Sequence, residues 1–143
     1  MAMHGSCLCG AVRFEAEPQE RASHACHCKM CRRWTGAMFI AAAVPEAALR
    51  WQGRENIGTY PSSDWAERGW CTRCGSTLFY RVTAEGEMQG VHFLALGLFD
   101  EPDALPLASE IFIDARPAAY ALAGDHPRIT GAEHRAMLGI DRN

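Results

Sequence analysis

Short apolar stretches bounded by Gly, Pro or Asp recur along this chain, and helical periodicity is scarce. Ala11 to Ala16 alternates around Val12 and Phe14, which gives a strand one apolar face. Met38 to Val44 is a continuous apolar run that stops at Pro45, and Arg50 to Gly53, Ile57 to Tyr60 and Ala66 to Cys71 read as shorter strands. Thr77 to Val82, Val91 to Phe99 and Glu110 to Asp114 carry the strongest strand patterns, separated by loops such as Ala84-Glu-Gly86 and Asp100-Glu-Pro-Asp103. Helical signals are a turn at Pro45 to Leu49, a short segment from Ala118 to Leu122, and a last helix opened by Thr130-Gly-Ala-Glu133 with capping-box spacing. The pattern predicts a mainly β architecture with few short helices. No repeat, low-complexity stretch or linker interrupts it, so residues 1–143 read as a single domain with a peripheral tail beyond Gly124.

Composition narrows the class of protein. A length of 143 residues with 48% hydrophobic content suffices for one core. Fourteen basic residues are scattered among seventeen acidic ones for a net charge of -3, so no nucleic-acid footprint is present and no nucleic-acid partner is expected. The opening residues lack a basic region followed by an apolar one, and no run approaches the roughly 18 apolar residues of a membrane span. A cytoplasmic protein without a membrane partner is expected. Oligomeric state leaves no mark in the sequence.

The chemistry is concentrated in seven cysteines, grouped as Cys7-Leu-Cys9, Cys26-His-Cys28-Lys-Met-Cys31 and Cys71-Thr-Arg-Cys74-Gly75. In a reducing compartment such clusters hold metal rather than form disulfides, and an odd number cannot all pair within one chain. Residues two apart on a strand share a face, so Cys7 with Cys9, and Cys26 with Cys28, are expected to offer paired thiolates from strands. Cys71 and Cys74 flank a turn of the zinc-knuckle kind, with Gly75 free to take positive φ. A redox reading of this Cys-x-x-Cys lacks the surrounding βαβ pattern it needs.

Pairing the first and last dyads is the most economical assignment. It closes a four-sulfur structural site from Cys7, Cys9, Cys71 and Cys74 and leaves Cys26, Cys28 and Cys31 as an open three-sulfur site, two ions per chain. His24 or His27 could close that second site, although a His between two same-face cysteines should point away from them. His92, in an apolar strand, reads as a core imidazole, and His4, His126 and His134 as surface residues. Ligand type alone admits iron, with zinc favoured for a non-redox protein. Three thiolates blunt a metal's Lewis acidity, so an open site of this kind suits an incoming thiol better than water: the bound thiol loses its proton and can add to an electrophilic carbon.

The residues also carry a resemblance. Gly5-Ser-Cys-Leu-Cys-Gly-Ala-Val12, Cys26-His-Cys28 through Cys31-Arg-Arg-Trp-Thr-Gly-Ala37, Tyr60-Pro-Ser-Ser63, Glu67-Arg-Gly-Trp-Cys71 through Cys74-Gly-Ser-Thr-Leu78, Leu96-Gly-Leu-Phe-Asp100 and Ile111-Phe-Ile-Asp114 resemble successive motifs of the glutathione-dependent formaldehyde-activating enzyme family, which includes centromere protein V. The resemblance implies a β-tent fold of antiparallel sheets, a structural zinc at Cys7, Cys9, Cys71 and Cys74, and a second zinc at Cys26, Cys28 and Cys31. It further implies a carbon-sulfur lyase or synthase activity in which glutathione adds to formaldehyde, giving S-(hydroxymethyl)glutathione. Glutathione carries two carboxylates, for which Lys29, Arg32, Arg33 and Arg73 are the candidate contacts. Solvated loop charges are the plainer reading of these four. Where family members place a Trp after the Pro that follows Asp114, this chain has Ala118 and Ala119, and Tyr120 is expected to fill the space.

Two functions from different classes follow. One is the enzyme just described, acting on glutathione or another small thiol and an aldehyde. The alternative is a noncatalytic zinc-binding module for a protein partner, anchored by Trp34, Trp51 or Trp65, although core or strand packing is the readier reading of each taken singly.

Overall fold

The computed structural model describes residues 2–139; Met1 and positions 140–143, which end the tail, lie outside the described residues. In chain order these residues form β1 (Met3–Ser6), β2 (Arg13–Ala16), β3 (Ser23–Cys26), α1 (Lys29–Thr35), β4 (Phe39–Val44), β5 (Leu49–Gln52), β6 (Ile57–Tyr60), β7 (Ala66–Cys71), β8 (Thr77–Val82), β9 (His92–Ala95), β10 (Leu107–Ile111), β11 (Arg128–Ile129) and α2 (Gly131–Leu138). The mainly β class stands. The chain divides into two compact units, Met1–Ala22 with Ala41–Pro106 and Ser23–Ile40 with Leu107–Asn143.

The first unit is antiparallel. β2 lies between β1 and β5, and its alternation turns Phe14 and Ala16 inward while Arg13 and Glu15 face out. A second set of strands runs in the order β4, β9, β8, β7, β6, with Ala41–Val44 as this unit's share of β4. Between them sits an apolar core that includes Val12, Phe14, Val44, Leu78, Phe79, Leu94, Phe99 and Leu105. Aromatic rings run through it in sequence: Phe99 on Phe14 at 5.1 Å, Phe14 on Trp51 at 5.8 Å, Trp51 on Phe79 at 5.6 Å and Phe79 on His92 at 4.8 Å, all but the third edge-on. Two of these rings lie directly over a glycine on the neighbouring strand. A Cβ at Gly5 would fall 2.3 Å from the Phe14 ring, and one at Gly69 would fall 2.4 Å from that of Phe79.

The second unit is built from parallel strands. β10 pairs with β3 on one side and with β11 on the other, Glu110 lying opposite Ala25 and Arg128, and Ile111 opposite Cys26 and Ile129. Antiparallel pairing, expected throughout, therefore holds for the first unit and gives way here. The helix expected at Thr130 forms with a complete capping box, Thr130 Oγ1 accepting from the Glu133 N–H and the Glu133 carboxylate accepting from the Thr130 N–H. Asp114 also accepts the first N–H of α2, at Gly131, at 2.8 Å.

Several strands are shorter than their apolar patterns. β9 stops at Ala95 because Leu96–Leu98 closes into a 3₁₀ turn that carries Phe99 into the core. β10 starts earlier than expected and stops at Ile111, since Phe112 adopts φ 55° and Ile113–Ala115 forms another 3₁₀ turn. Ala118 to Leu122 forms no helix. Among the described residues no helix is long and apolar enough to cross a membrane.

His92 is the core imidazole expected: it is 4% exposed, and its Nδ1 lies 2.9 Å from the Gly90 carbonyl. Burial in this apolar setting lowers its pKa to about 4. The folded protein therefore keeps His92 neutral while the unfolded chain takes up a proton below pH 6.5. The stability His92 contributes is complete above that pH and is lost as pH falls toward 4, a change of about 3 kcal/mol. Urea unfolding between pH 7 and 4 should show this decline, and His92→Phe should flatten that part of the profile.

Candidate metal centres

The four-cysteine cluster is assembled inside the first unit by two turns. Cys7 follows β1, and the Gly10 N–H closes the Cys7-Leu-Cys-Gly10 turn on the Cys7 carbonyl at 3.2 Å. Cys71 ends β7, and the Gly75 N–H closes the Cys71-Thr-Arg-Cys-Gly75 turn on the Cys71 carbonyl at 2.8 Å. Both glycines sit at φ +78°, the left-handed region that other residues enter at a cost. The expectation that Cys7 and Cys9 share a strand face is thus corrected. β1 ends at Ser6, and a turn brings their sulfurs together instead.

The four sulfurs lie within 4.8 Å of one another. Cys7 Sγ is 3.6 Å from Cys9 Sγ, and Cys9 Sγ is 3.8 Å from Cys71 Sγ. Sulfurs at the corners of a tetrahedron, each about 2.3 Å from a central ion, would be ~3.8 Å apart, so the spacing fits a closed thiolate shell. The surroundings also fit one. The Val12 N–H points at Cys7 Sγ at 3.3 Å. The Leu8 N–H donates to Ser76 Oγ at 3.0 Å, which leaves the hydroxyl proton for Cys74 Sγ at 3.2 Å. That hydroxyl and the Ser76 backbone hold the Cys74 thiol down at about 5. The Ala11 N–H also favours a thiolate at Cys9, yet burial and the neighbouring sulfurs push that thiol up to about 11. Four sulfurs this close cannot all ionise without a cation among them. Because Cys71 and Cys74 join Cys7 and Cys9, the geometry is that of a metal knuckle and not of an isolated redox pair.

The three-cysteine cluster belongs to the second unit. Cys26 ends β3, and Cys28 caps α1, its Sγ accepting from the Cys31 N–H at 3.4 Å. Cys31 sits in the first turn of that helix, 5% exposed. Cys26 and Cys28 therefore do not share a strand face; a strand end and a helix cap bring them to within 4.8 Å of each other and of Cys31. Hydrogen bonding with Cys28 and then Cys31, together with burial, drives the Cys26 thiol well above its ordinary pKa, the mark of a group that needs a cation before all three can ionise. Three soft donors this close together suit a thiophilic divalent ion.

Neither histidine closes this cluster among the described residues. His24 Nδ1 is 2.6 Å from Ser109 Oγ, and His27 points away from the cysteines beside it, Nε2 lying 2.7 Å from Glu110 Oε1. Lys29, Arg32 and Arg33 lie on the helix that carries Cys31; Lys29 and Arg33 are exposed, and Arg32 reaches the Ala115 carbonyl. Arg73 is exposed on the four-cysteine knuckle instead. The tryptophans offered as anchors are partly buried: Trp51 in the aromatic chain described above and Trp34 against Phe39 at 5.1 Å, while Trp65 is half-buried beside β7.

One constellation escaped the sequence reading. Glu110 is fully buried, with His27 on one carboxylate oxygen and His126 Nε2, at 2.6 Å, and Arg128 Nε, at 3.0 Å, on the other. Burial opposes its ionisation, but the hydrogen bonds from His126 and His27 outweigh that and keep the carboxyl below its usual range. His126, expected at the surface, has a side chain only 6% exposed because it turns in to meet this charge. His4 is exposed as expected, and His134 is half-buried against Phe112. The available signal was a lone Glu in the apolar run Glu110-Ile-Phe-Ile, with two histidines and an arginine nowhere near it in sequence.

Comparison with known proteins places this arrangement. The family model described as glutathione-dependent formaldehyde-activating enzyme matches residues 2–115. An uncharacterized lyase of Schizosaccharomyces pombe is 32% identical over 119 residues, 83% of this chain and 84% of that one. A protein of Halomonas elongata, provisionally named a glutathione-dependent formaldehyde-activating enzyme, is 29% identical over 99% of both chains. A crystal structure of a Rhodobacter sphaeroides protein superimposes with a TM-score of 0.58 at 23% identity, over 88% of this chain and 99% of the other, which establishes a shared fold.

The two clusters should differ in what they hold up. Cys7 and Cys71 are part of the first unit's core, so ion binding there appears as folding free energy, on the order of ~10 kcal/mol in small zinc domains. Cys71→Ser is expected to cost at least ~3 kcal/mol in chemical denaturation, and Cys28→Ser less than half as much.

Proposed function

Since this chain belongs to the glutathione-dependent formaldehyde-activating enzyme family, we propose that it is a carbon-sulfur lyase or synthase that joins a small thiol, glutathione foremost, to formaldehyde or a similar aldehyde. The observation that carries the reading is the three-cysteine cluster, which gathers three sulfurs and, among the described residues, no fourth ligand. In this reading Cys7, Cys9, Cys71 and Cys74 hold a structural zinc, and Cys26, Cys28 and Cys31 hold a second. A zinc ion with three thiolate ligands supplies a free position that favours an incoming thiol in its thiolate form.

The remaining work falls to the chain. Cys26, Cys28 and Cys31 fix the position from which the substrate sulfur attacks. Lys29, Arg32 and Arg33, on the helix that carries Cys31, are the cationic groups proposed to attract and orient the two carboxylates of glutathione. Addition forms one carbon-sulfur bond, turns the aldehyde carbonyl into a hydroxyl, and returns to that oxygen the proton the thiol gave up. The product is S-(hydroxymethyl)glutathione, with no electron donor or acceptor consumed. A reducing cytoplasmic setting, in which clustered thiols stay available to metal, is part of this reading.

Glutathione should alter the absorption of cobalt placed at the three-cysteine cluster. Cys28→Ser should weaken glutathione binding on the order of 100-fold or more, since loss of a direct ligand should exceed the cost of losing a supporting contact. Formation of the hydroxymethyl adduct, followed by exchange NMR, should run faster with protein than without. A cobalt spectrum unmoved by millimolar glutathione would remove the basis of the proposal. It would favour the noncatalytic partner-binding alternative, which predicts that silence.

A further inference from the structure

We infer that Glu110 is a positioning residue for the three-cysteine cluster, and that through it His126 and Arg128, which belong to the C-terminal segment and touch no sulfur, set the geometry of Cys26 and Cys28. The inference rests on the metal-centre reading of that cluster. His27 is the residue between the two cysteines, and both of their peptide links run through its backbone. Its side chain is 0% exposed, its backbone N–H is bonded to the Ile111 carbonyl at 3.1 Å, and its Nε2 is held by Glu110 Oε1 at 2.7 Å. The other ring nitrogen, Nδ1, is buried without a hydrogen-bond partner. Among the described residues the ring thus has a single polar anchor, and Tyr120 stacked at 5.9 Å limits its tilt without fixing its rotation.

The anchor is itself held from the far side. Glu110 Oε2 takes His126 Nε2 at 2.6 Å and Arg128 Nε at 3.0 Å, while the Glu110 N–H is bonded to the Pro127 carbonyl at 3.0 Å. Arg128 further gathers the carbonyls of Leu122 and Gly124, both at 3.0 Å, so the loop before β11 closes around the carboxylate. Every partner on Oε1 and Oε2 is a nitrogen that donates to a carboxylate. An amide in its place presents one oxygen and one NH₂, so Glu110→Gln either sets donor against donor at one end of the relay or forces His27 to carry its proton on the buried Nδ1, which has no partner. A buried donor left without an acceptor drives rearrangement, and His27, whose backbone joins Cys26 to Cys28, is among the groups that must adjust.

The test uses the full chain loaded with cobalt, with affinity at each cluster read by chelator competition and geometry read from the ligand-field bands. Glu110→Gln is expected to weaken cobalt at the three-cysteine cluster about 10- to 100-fold and to shift its bands, leaving the four-cysteine cluster unchanged as an internal control. Arg128→Met, at a side chain 38% exposed, should do the same to a smaller degree and serves if Glu110→Gln does not fold. Thr130→Ala removes the α2 cap in the same unit and should leave cobalt binding at both clusters as it was. Wild-type affinity and spectrum in Glu110→Gln, or in Arg128→Met where only that variant folds, overturns the assignment while the proposed function stands. An equal loss in Thr130→Ala overturns it as well, by making the effect one of general stability. Wild-type protein that binds a single cobalt overturns both this inference and the proposed function.

Discussion

Sulfurs crowded within 4.8 Å of each other repel once ionised, and that repulsion is the constraint around which this molecule is organised. Cys7 and Cys71 are buried at 4% and 0% exposure in the apolar core of the first unit, where uncompensated charge costs several kcal/mol per ion. A cation among them turns that liability into a cross-link. The local structure prepares for it: strands β1 and β7 end at the cluster, glycine turns reverse the chain there, and N–H and hydroxyl groups point at the sulfurs. The folding energetics of the first unit and the chemistry of its donor set are one problem.

The second unit meets a related demand by different means. Its cysteines come from a strand end, a helix cap and a helical turn, and what steadies them is a buried carboxylate bound by three cationic or polar groups. Apolar packing is tolerant in direction, whereas hydrogen bonds to a carboxylate specify angles as well as distances. For the incomplete coordination proposed at the three-cysteine cluster, the second kind of support serves better.

Legibility in the sequence followed the source of each element's stability. β6 and β8, rich in β-branched or aromatic residues, and β7, which has Trp70 alone of that kind, were readable to the residue. β1 (Met-His-Gly-Ser) and β3 (Ser-His-Ala-Cys) have no such residues and exist because neighbours pair with them, so propensity could not reveal them. α1 is seven residues long and starts on a cysteine, a cap that no preference scale anticipates. The cysteine groupings were legible because chelation leaves short spacings, although turns and a cap, not strand faces, deliver the sulfurs. The partners of Glu110 were not, since His27, His126 and Arg128 approach it only through the parallel pairing of β3, β10 and β11.

The long separation within the four-cysteine cluster also has a consequence in time. Cys9 and Cys71 meet across 62 positions of chain. A ribosome adding about 5–20 residues per second leaves the first dyad waiting on the order of 3–12 s before its partners have even been made. Throughout that interval the nascent chain carries bare thiols, open to stray copper, oxidants and premature chelation. Biogenesis of this protein is thus most exposed to the redox and metal state of its surroundings before translation ends, when no finished fold yet shields the sulfurs.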